Sequence, residues 1–229
     1  MHQAIVYGLD IETDTTTDGL DPAVAPVRAV ALSSRSGDEL FVGDEDAILR
    51  TLDARLAALP RGVIATWNGA AFDLPFVADR ARILGIDLGL DLLLDRRLTL
   101  QRAPLPGHAG AYRASWHGHG HLDTYRLYGA DRGPGPLTSL RNIGRLLGLG
   151  ATDCRPNRKH DLTNEALHAH APSDARLARV LAERRWPAAA RLVDRVDHAE
   201  AEPVAVAARR LARSERHDGH PLRPAVVTA

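Results

Sequence analysis

The order in which strand-like and helix-like patterns alternate is the feature that most restricts the fold of this 229-residue chain. Three β-branched runs come first, and an amphipathic helical stretch, a short buried strand and a second helical stretch follow them. This alternation favours an α/β sheet with helices packed on its faces. The predicted strands are Ala4–Ile11, Val27–Leu32, Leu40–Val42 and Val63–Thr66, and the predicted helices are Asp44–Leu59 and Pro75–Leu84.

The second half of the chain has weaker patterns. Arg96–Gly120 is rich in Gly, His and Arg without periodicity, which predicts a long surface excursion that borders a cleft. His117, His119 and His121 stand at alternate positions at its end, and we expect them in a cleft-lining loop, with a zinc or nickel site as the alternative. Further helices are predicted near His121–Tyr128, over Ser139–Leu147, after Thr163 to Trp186 with an interruption at Pro172, and beyond Pro187 to about His198. We therefore expect one domain over residues 1–187, and a C-terminal helix with a partly disordered tail over 188–229.

Composition excludes several classes of protein. The chain is 45% hydrophobic and 25% charged, which is typical of a globular protein rather than a collagenous, disordered or disulfide-stapled one. No apolar stretch is long enough for a membrane helix, and the start of the chain predicts no secretory signal. The single cysteine, Cys154, agrees with a reducing compartment, so we expect a cytoplasmic protein. Equal numbers of basic and acidic residues, 29 each, give no indication of indiscriminate nucleic-acid binding.

Three acidic residues lie where predicted elements end or begin. Asp10 and Glu12 are two positions apart on the first strand, so both carboxylates project from the same face while Ile11 points to the other. Two adjacent carboxylates repel each other, and hard divalent cations with oxygen ligands relieve that repulsion. Asp73 follows the short strand at the entrance of a helix, a position that also suits an N-terminal cap.

Two segments around these acids resemble the motifs of a known enzyme family. The first is Gly8-Leu9-Asp10-Ile11-Glu12-Thr13, followed by Asp18-Gly19-Leu20-Asp21-Pro22, and the second is Asn68–Phe76. They resemble motifs one and two of the DEDD-type 3′-to-5′ exonucleases, which belong to the ribonuclease H-like superfamily. The resemblance spans Ala4–Trp186 and implies a ribonuclease H-like mixed β-sheet, with a three-strand meander plus further strands, flanked by α-helices.

The third motif of that family is an aspartate on a late helix, preceded by a tyrosine four residues earlier or a histidine five residues earlier. The candidate here is Asp174, with His170 four residues before it, so the spacing matches the tyrosine branch and the residue type matches the histidine branch. Pro172 leaves two arrangements open, because a helix that starts at this proline would place His170 on the incoming loop. His168 is a rival for the same role.

The resemblance implies a site that holds two metal ions. Asp10, Glu12, Asp73 and Asp174 would hold two Mg²⁺ or Mn²⁺ ions, which bracket the scissile phosphate in such enzymes. His170 would orient the attacking water or act as a general base. By the same resemblance Asn68 and Phe72 would contact the terminal nucleotide, although Phe72 also suits core packing. Asp123 either supports the site or caps a helix.

The sequence thus predicts a metal-dependent 3′-to-5′ exonuclease acting on DNA or RNA, with single-stranded 3′ ends as the expected substrate. Two alternatives stay open. One is a catalytically degenerate module of the same fold that binds nucleic acid or a protein, and the other is a hydrolase of short oligonucleotides. The two nuclease predictions differ in how cleavage should depend on substrate length.

Overall fold

The computed structural model describes residues 4–16, 18–98, 103–128, 139–149 and 164–196, with side chains from residue 170 onward in the last range. Cys154, the side chain of His168 and the predicted tail beyond residue 196 lie outside the described residues. The division of the chain at residue 187 stays a prediction, as does the cytoplasmic location. Within the described residues no helix is both long enough and apolar enough to cross a membrane.

The described residues form a mixed seven-stranded sheet with helices on both faces, which confirms the predicted α/β, ribonuclease H-like fold. The strands lie in the order β3-β2-β1-β4-β7-β6-β5. Strand β4 pairs in parallel with β1 and β7, and the other neighbouring strands pair antiparallel. The elements are β1 (Val6–Thr13), β2 (Val27–Ser34), β3 (Gly37–Val42), α1 (Glu45–Ala58), β4 (Val63–Thr66), α2 (Asp73–Leu84), β5 (Leu90–Asp95), β6 (Ala111–Trp116), β7 (His119–Asp123), α3 (Tyr125–Tyr128), α4 (Leu140–Leu146), α5 (Asn164–Arg184) and α6 (Trp186–Ala189).

Strand β1 lies at the centre of this arrangement and contributes different residues to each face. Leu9 and Ile11 are buried in the main apolar core, together with residues of α1 and α2. Helix α5 packs against β1 and β2 through a small cluster that contains Ala31, Ala171 and Ala175. Residues of β1 that alternate with Leu9 and Ile11 therefore face α5.

The prediction of a surface excursion over Arg96–Gly120 is wrong. Strand β6 and the start of β7 lie inside that range, and both are largely buried. His119 satisfies its ring nitrogens with backbone groups, because Nδ1 accepts from the Gly62 N–H (3.1 Å) and Nε2 donates to the Leu56 carbonyl (2.9 Å). His121 lies in the same strand, and burial lowers its pKa to about 3, so it is neutral. His119 and His121 are therefore sheet residues, and His117 lies in the turn between β6 and β7 with its Nε2 2.9 Å from Asp53 Oδ1, so the three do not form a cleft-lining loop.

The helices near the end of the chain also differ from the prediction. Helix α5 runs without a break from Asn164 to Arg184 and includes Pro172, so the predicted interruption is absent from this helix. The helix expected from His121 is only Tyr125–Tyr128, since β7 continues to Asp123. The helix expected to about His198 is only Trp186–Ala189, after which Asp194 forms a bridge with His121 of β7.

Candidate active site

Strand β1 extends beyond its parallel partner, and this places two acids at an open edge of the sheet. The pairing of β1 with β4 covers Val6–Gly8 only, whereas the pairing with β2 continues to Thr13. Asp10 and Glu12 lie on this extension, half-buried, on the same face as Gly8. That face is covered by α5, so any acid on the facing side of α5 lies near both.

Gly8 allows α5 to come very close to β1. A Cβ atom at this position would lie 1.8 Å from the Ala175 carbonyl oxygen, so no other residue fits without a movement of the backbone. Asp174 immediately precedes Ala175, and its half-buried carboxylate contributes to the electrostatic environment of both Asp10 and Glu12. The close approach at Gly8 thus places Asp174 of the third predicted motif near Asp10 and Glu12 of the first.

Asp73 reaches the same region from the opposite side of β1. It is the first residue of α2 rather than its N-cap, which is Phe72. Asp73 is 4% exposed, and the backbone N–H groups of Asp73 itself and of Ile11 stabilise its ionised form and oppose the rise in its pKa. Burial raises the pKa of Asp73 to about 7, and repulsion from Asp123 and Glu12 adds to the shift.

The negative charges of neighbouring acids raise the pKa values of several of these carboxyl groups. Burial raises the pKa of Asp10 well above its usual range, and Asp174, Glu12 and Asp73 add repulsion in that order. The pKa of Glu12 rises to about 7, first through burial and then through repulsion from Asp174. Protons or bound cations stabilise a cluster of acids such as this one, because the ionised carboxylates repel one another.

One cation of the protein itself partly compensates these acids. Arg141, on α4, forms a two-point ion pair with Asp174, with Nη2 2.9 Å and Nε 3.2 Å from the two carboxylate oxygens. Its guanidinium also lowers the pKa of Asp10 and of Glu12. Arg141 is not recognisable from the sequence, because it lies 33 positions from Asp174 and among many other arginines. The only local signal is the short helical pattern that carries it.

His170 and Asp174 lie on one face of α5, since the helix is continuous between them and their spacing is four residues. The alternative that His170 precedes the helix is therefore wrong. Its side chain is 2% exposed, and neither ring nitrogen has a hydrogen-bond partner among the described residues. Burial lowers the pKa of His170, and the nearby Arg141 lowers it further, so the ring is neutral.

The two predicted substrate contacts lie in the loop between β4 and α2. Asn68 is half-buried and has a left-handed backbone conformation (φ 63°). The Phe72 ring is half-buried and packs against the main core, with its centroid 5.4 Å from that of Phe76. Core packing is thus observed for Phe72, and part of its ring stays accessible.

The chemistry of the four acids fits divalent cations, although their positions do not form a complete ligand shell. Carboxylate oxygens are the ligands that Mg²⁺ and Mn²⁺ prefer, and four carboxylates supply enough negative charge for two such ions. Within the part of the chain that the structure describes, no three His, Cys, Asp or Glu side chains are close enough to share one metal ion. Asp174 forms an ion pair with Arg141 instead.

Comparisons with known proteins support the fold. No protein-family model matches the chain, and no curated protein matches it. Among solved structures, the family B DNA polymerase from the hyperthermophilic archaeon Pyrobaculum calidifontis is similar, with a TM-score of 0.62 and 22% sequence identity. The match covers 80% of this chain and 25% of the polymerase chain. The fold is thus similar to a part of a DNA-processing enzyme.

Proposed function

We propose that this protein is a metal-dependent 3′-to-5′ exonuclease that hydrolyses phosphodiester bonds at the 3′ end of DNA or RNA. The observation that carries the proposal is that Glu12 of β1, Asp73 of α2 and Asp174 of α5 all lie near enough to Asp10 of β1 for their charges to raise its pKa. The resemblance of the surrounding segments to DEDD exonuclease motifs supports it, as does the fold similarity to part of a DNA polymerase.

The four carboxylates would hold two Mg²⁺ or Mn²⁺ ions. Such ions would supply positive charge to offset that of the phosphate and would lower the pKa of a water. The protein's own contribution is to hold the acids close together. Because the pKa values of Asp10, Glu12 and Asp73 are raised, a divalent cation that binds there would displace protons from them.

His170 would accept the proton of the attacking water on one ring nitrogen. The imidazole has no hydrogen-bond partner in the described parts of the chain, and a neutral ring there keeps a lone pair for this purpose. Its position one helical turn before Asp174 keeps it beside the acids. The accessible part of Phe72 and the neighbouring Asn68 would contact the terminal nucleotide, with a single-stranded 3′ end as the favoured substrate.

The test is cleavage of 5′-labelled single-stranded DNA and RNA with Mg²⁺ or Mn²⁺. The native protein is expected to give a ladder that shortens from the 3′ end. Asp10→Asn should reduce the rate at least about 1,000-fold, and His170→Ala by about 100-fold, the range for loss of a general base. Asp46→Asn, on the exposed face of α1, is the matched control and should leave the rate unchanged.

The ion pair between Arg141 and Asp174 favours a second candidate, the degenerate binding module, because a ligand carboxylate is already occupied by a protein cation. Labelled strands that bind to the native protein but are never shortened, with either metal, would support that module and overturn the exonuclease. Cleavage limited to strands of a few nucleotides would instead identify a hydrolase of short oligonucleotides.

A further inference from the structure

Asp123, at the end of β7, is surrounded by backbone N–H donors. It is 3% exposed. Its Oδ1 accepts from the N–H of Asn68 (2.8 Å) and of Tyr125 (3.0 Å), and its Oδ2 accepts from the N–H of Ala70 (3.3 Å). One buried carboxylate therefore joins the end of β7, the start of α3 and the loop that precedes α2.

That loop has little freedom once Asp123 holds it. A Cβ atom on Gly69 would lie 2.2 Å from the Thr66 hydroxyl oxygen, so the chain passes β4 very closely. The Asn68 carbonyl accepts from the Phe72 N–H (3.0 Å), and the Gly69 carbonyl accepts from the Leu74 N–H (3.1 Å). These bonds transmit the position of Asn68 to the first turn of α2, where Asp73 lies.

We propose that Asp123 is a positioning residue, which sets the locations of Asp73 and Asn68 by fixing the backbone of the loop between β4 and α2. The proposal rests on the proposed function for its catalytic consequence. Asp123 does not contact substrate or metal in this role. Its carboxylate acts as an acceptor of N–H groups, so an amide at the same position can replace most of it, whereas a methyl group cannot.

Two variants separate anchoring from charge. In Asp123→Asn the amide oxygen can still accept from Asn68 and Tyr125, and only the bond to Ala70 is lost. In Asp123→Ala all three are lost. Asp53→Ala is the matched control, because Asp53 also accepts two N–H groups, from Gly89 (2.9 Å) and Trp116 (2.7 Å), away from the loop before α2.

The readouts are kcat and KM for a 5′-labelled strand, Mn²⁺ affinity by calorimetry, and hydrogen exchange of the Asn68 and Ala70 amides. Asp123→Ala is expected to lower kcat about 100-fold, as for a misplacement of about 1 Å, and to weaken Mn²⁺ binding. Asp123→Asn should keep kcat within about tenfold of native and lose protection at Ala70 but not at Asn68. Asp53→Ala should lower the melting temperature and leave kcat and Mn²⁺ affinity unchanged.

Two results would overturn the proposal. One is an Asp123→Ala protein whose kcat and Mn²⁺ affinity match those of Asp53→Ala, and the other is an Asp123→Asn protein as damaged as Asp123→Ala. If Asp123→Ala does not fold, the amide exchange and kcat of Asp123→Asn decide the matter. If the native protein cleaves nothing, the exonuclease proposal fails separately, and Mn²⁺ affinity with amide exchange still judges Asp123.

Discussion

The carboxylates of α1 and those of β1 lie on opposite sides of the sheet and are compensated in different ways. Glu45 pairs with Arg80 through two short contacts (2.6 and 2.8 Å) and accepts from the Val27 N–H (2.6 Å). In contrast, the main charged neighbours of Asp10 and Glu12 are other acids, and the Arg141 guanidinium lowers the pKa of both.

This difference separates structural charges from functional ones. A buried ion pair that is fully hydrogen-bonded holds parts of a fold together, and the Arg80 pair links α2, α1 and the Pro22 carbonyl. Carboxylates that repel one another weaken the metal-free fold, so their proximity needs another explanation. Under the proposed function, cation binding explains why these acids lie close together. Three variants and one change of solution conditions test this contrast between the two groups of carboxylates.

The largest effect is expected from Gly8→Ala. The added Cβ overlaps the Ala175 carbonyl oxygen, so α5 must move away from β1 and carry Asp174 away from Asp10. We predict a loss of cleavage of at least about 100-fold, together with destabilisation of about 3 kcal/mol. Cleavage and thermal unfolding measure the two effects. Gly110→Ala is the control, since its Cβ would meet Leu94 Cδ1 at 3.5 Å and Arg96 Cα at 4.0 Å, both ordinary contacts, and an equal loss there would refute this explanation.

The next largest effect is expected when the arginine that pairs with a buried carboxylate is removed. Arg80→Ala leaves the largely buried Glu45 without its cation, which should cost about 3 kcal/mol of unfolding free energy. Chemical denaturation measures this cost. Arg50→Ala removes an exposed partner of Asp46 on α1 and should leave the denaturation midpoint unchanged. A similar midpoint for both variants would mean that the Arg80 pair contributes nothing beyond a surface ion pair.

The response to Mg²⁺ should depend on pH. The pKa values of Glu12 and Asp73 are raised to about 7 in the folded chain, so these groups favour folding at low pH and lose that contribution as pH rises from about 4 to about 7. Mg²⁺ competes with their protons. About 10 mM Mg²⁺ should therefore raise the melting temperature by about 4 °C or more at pH 8 and by less than half as much at pH 6.

The increment caused by Mg²⁺, rather than the melting temperature itself, is the quantity to compare. Burial lowers the pKa values of His119 and His121, so folding also loses stability as pH falls below about 6.5. This opposing trend is common to samples with and without metal. An increment that is equal at the two pH values would contradict the raised pKa values of the acids.

The smallest effect is expected for Arg141→Met in the absence of metal. Without the guanidinium, repulsion among Asp10, Glu12 and Asp174 increases, so the variant should lose about 1 kcal/mol of stability at pH 8. At pH 5, where Glu12 is protonated, the loss should be smaller. Denaturation at both pH values tests this, and an equal loss at both would assign Arg141 a packing role only.

The sequence predicted the first half of the fold because its patterns are local. Strands β1 to β4 and helices α1 and α2 carry alternation or helical periodicity that needs no information from distant residues. Strands β6 and β7 do not, since neither contains a β-branched residue and β7 carries glycine and histidine instead. Their polar atoms are satisfied by contacts such as the bond from His119 to Leu56, which lies 63 positions away.

The candidate site shows the same division. Short motifs that resemble those of the exonuclease family predict Asp10, Glu12, Asp73 and Asp174 as site residues, and in the structure the last three lie near enough to Asp10 to raise its pKa. The continuity of α5 through Pro172 and the pairing of Arg141 with Asp174 depend on tertiary packing, so spacing along the chain does not reveal them. The sequence leaves open whether Asp123 supports the site or caps a helix. Its bond from the first N–H of α3 agrees with the cap, and its bonds from Asn68 and Ala70 are those on which the proposed positioning role rests.

The central claim is that four acids form one binding centre for divalent cations. Its most direct test is a calorimetric titration of the metal-free native protein and of Asp10→Asn with Mn²⁺ at pH 8. We predict two saturable sites per chain in the native protein, as in two-metal phosphodiesterases, and loss of at least one of them in the variant. Saturable binding that is identical in both proteins, or no saturable binding to the native protein, would contradict the claim.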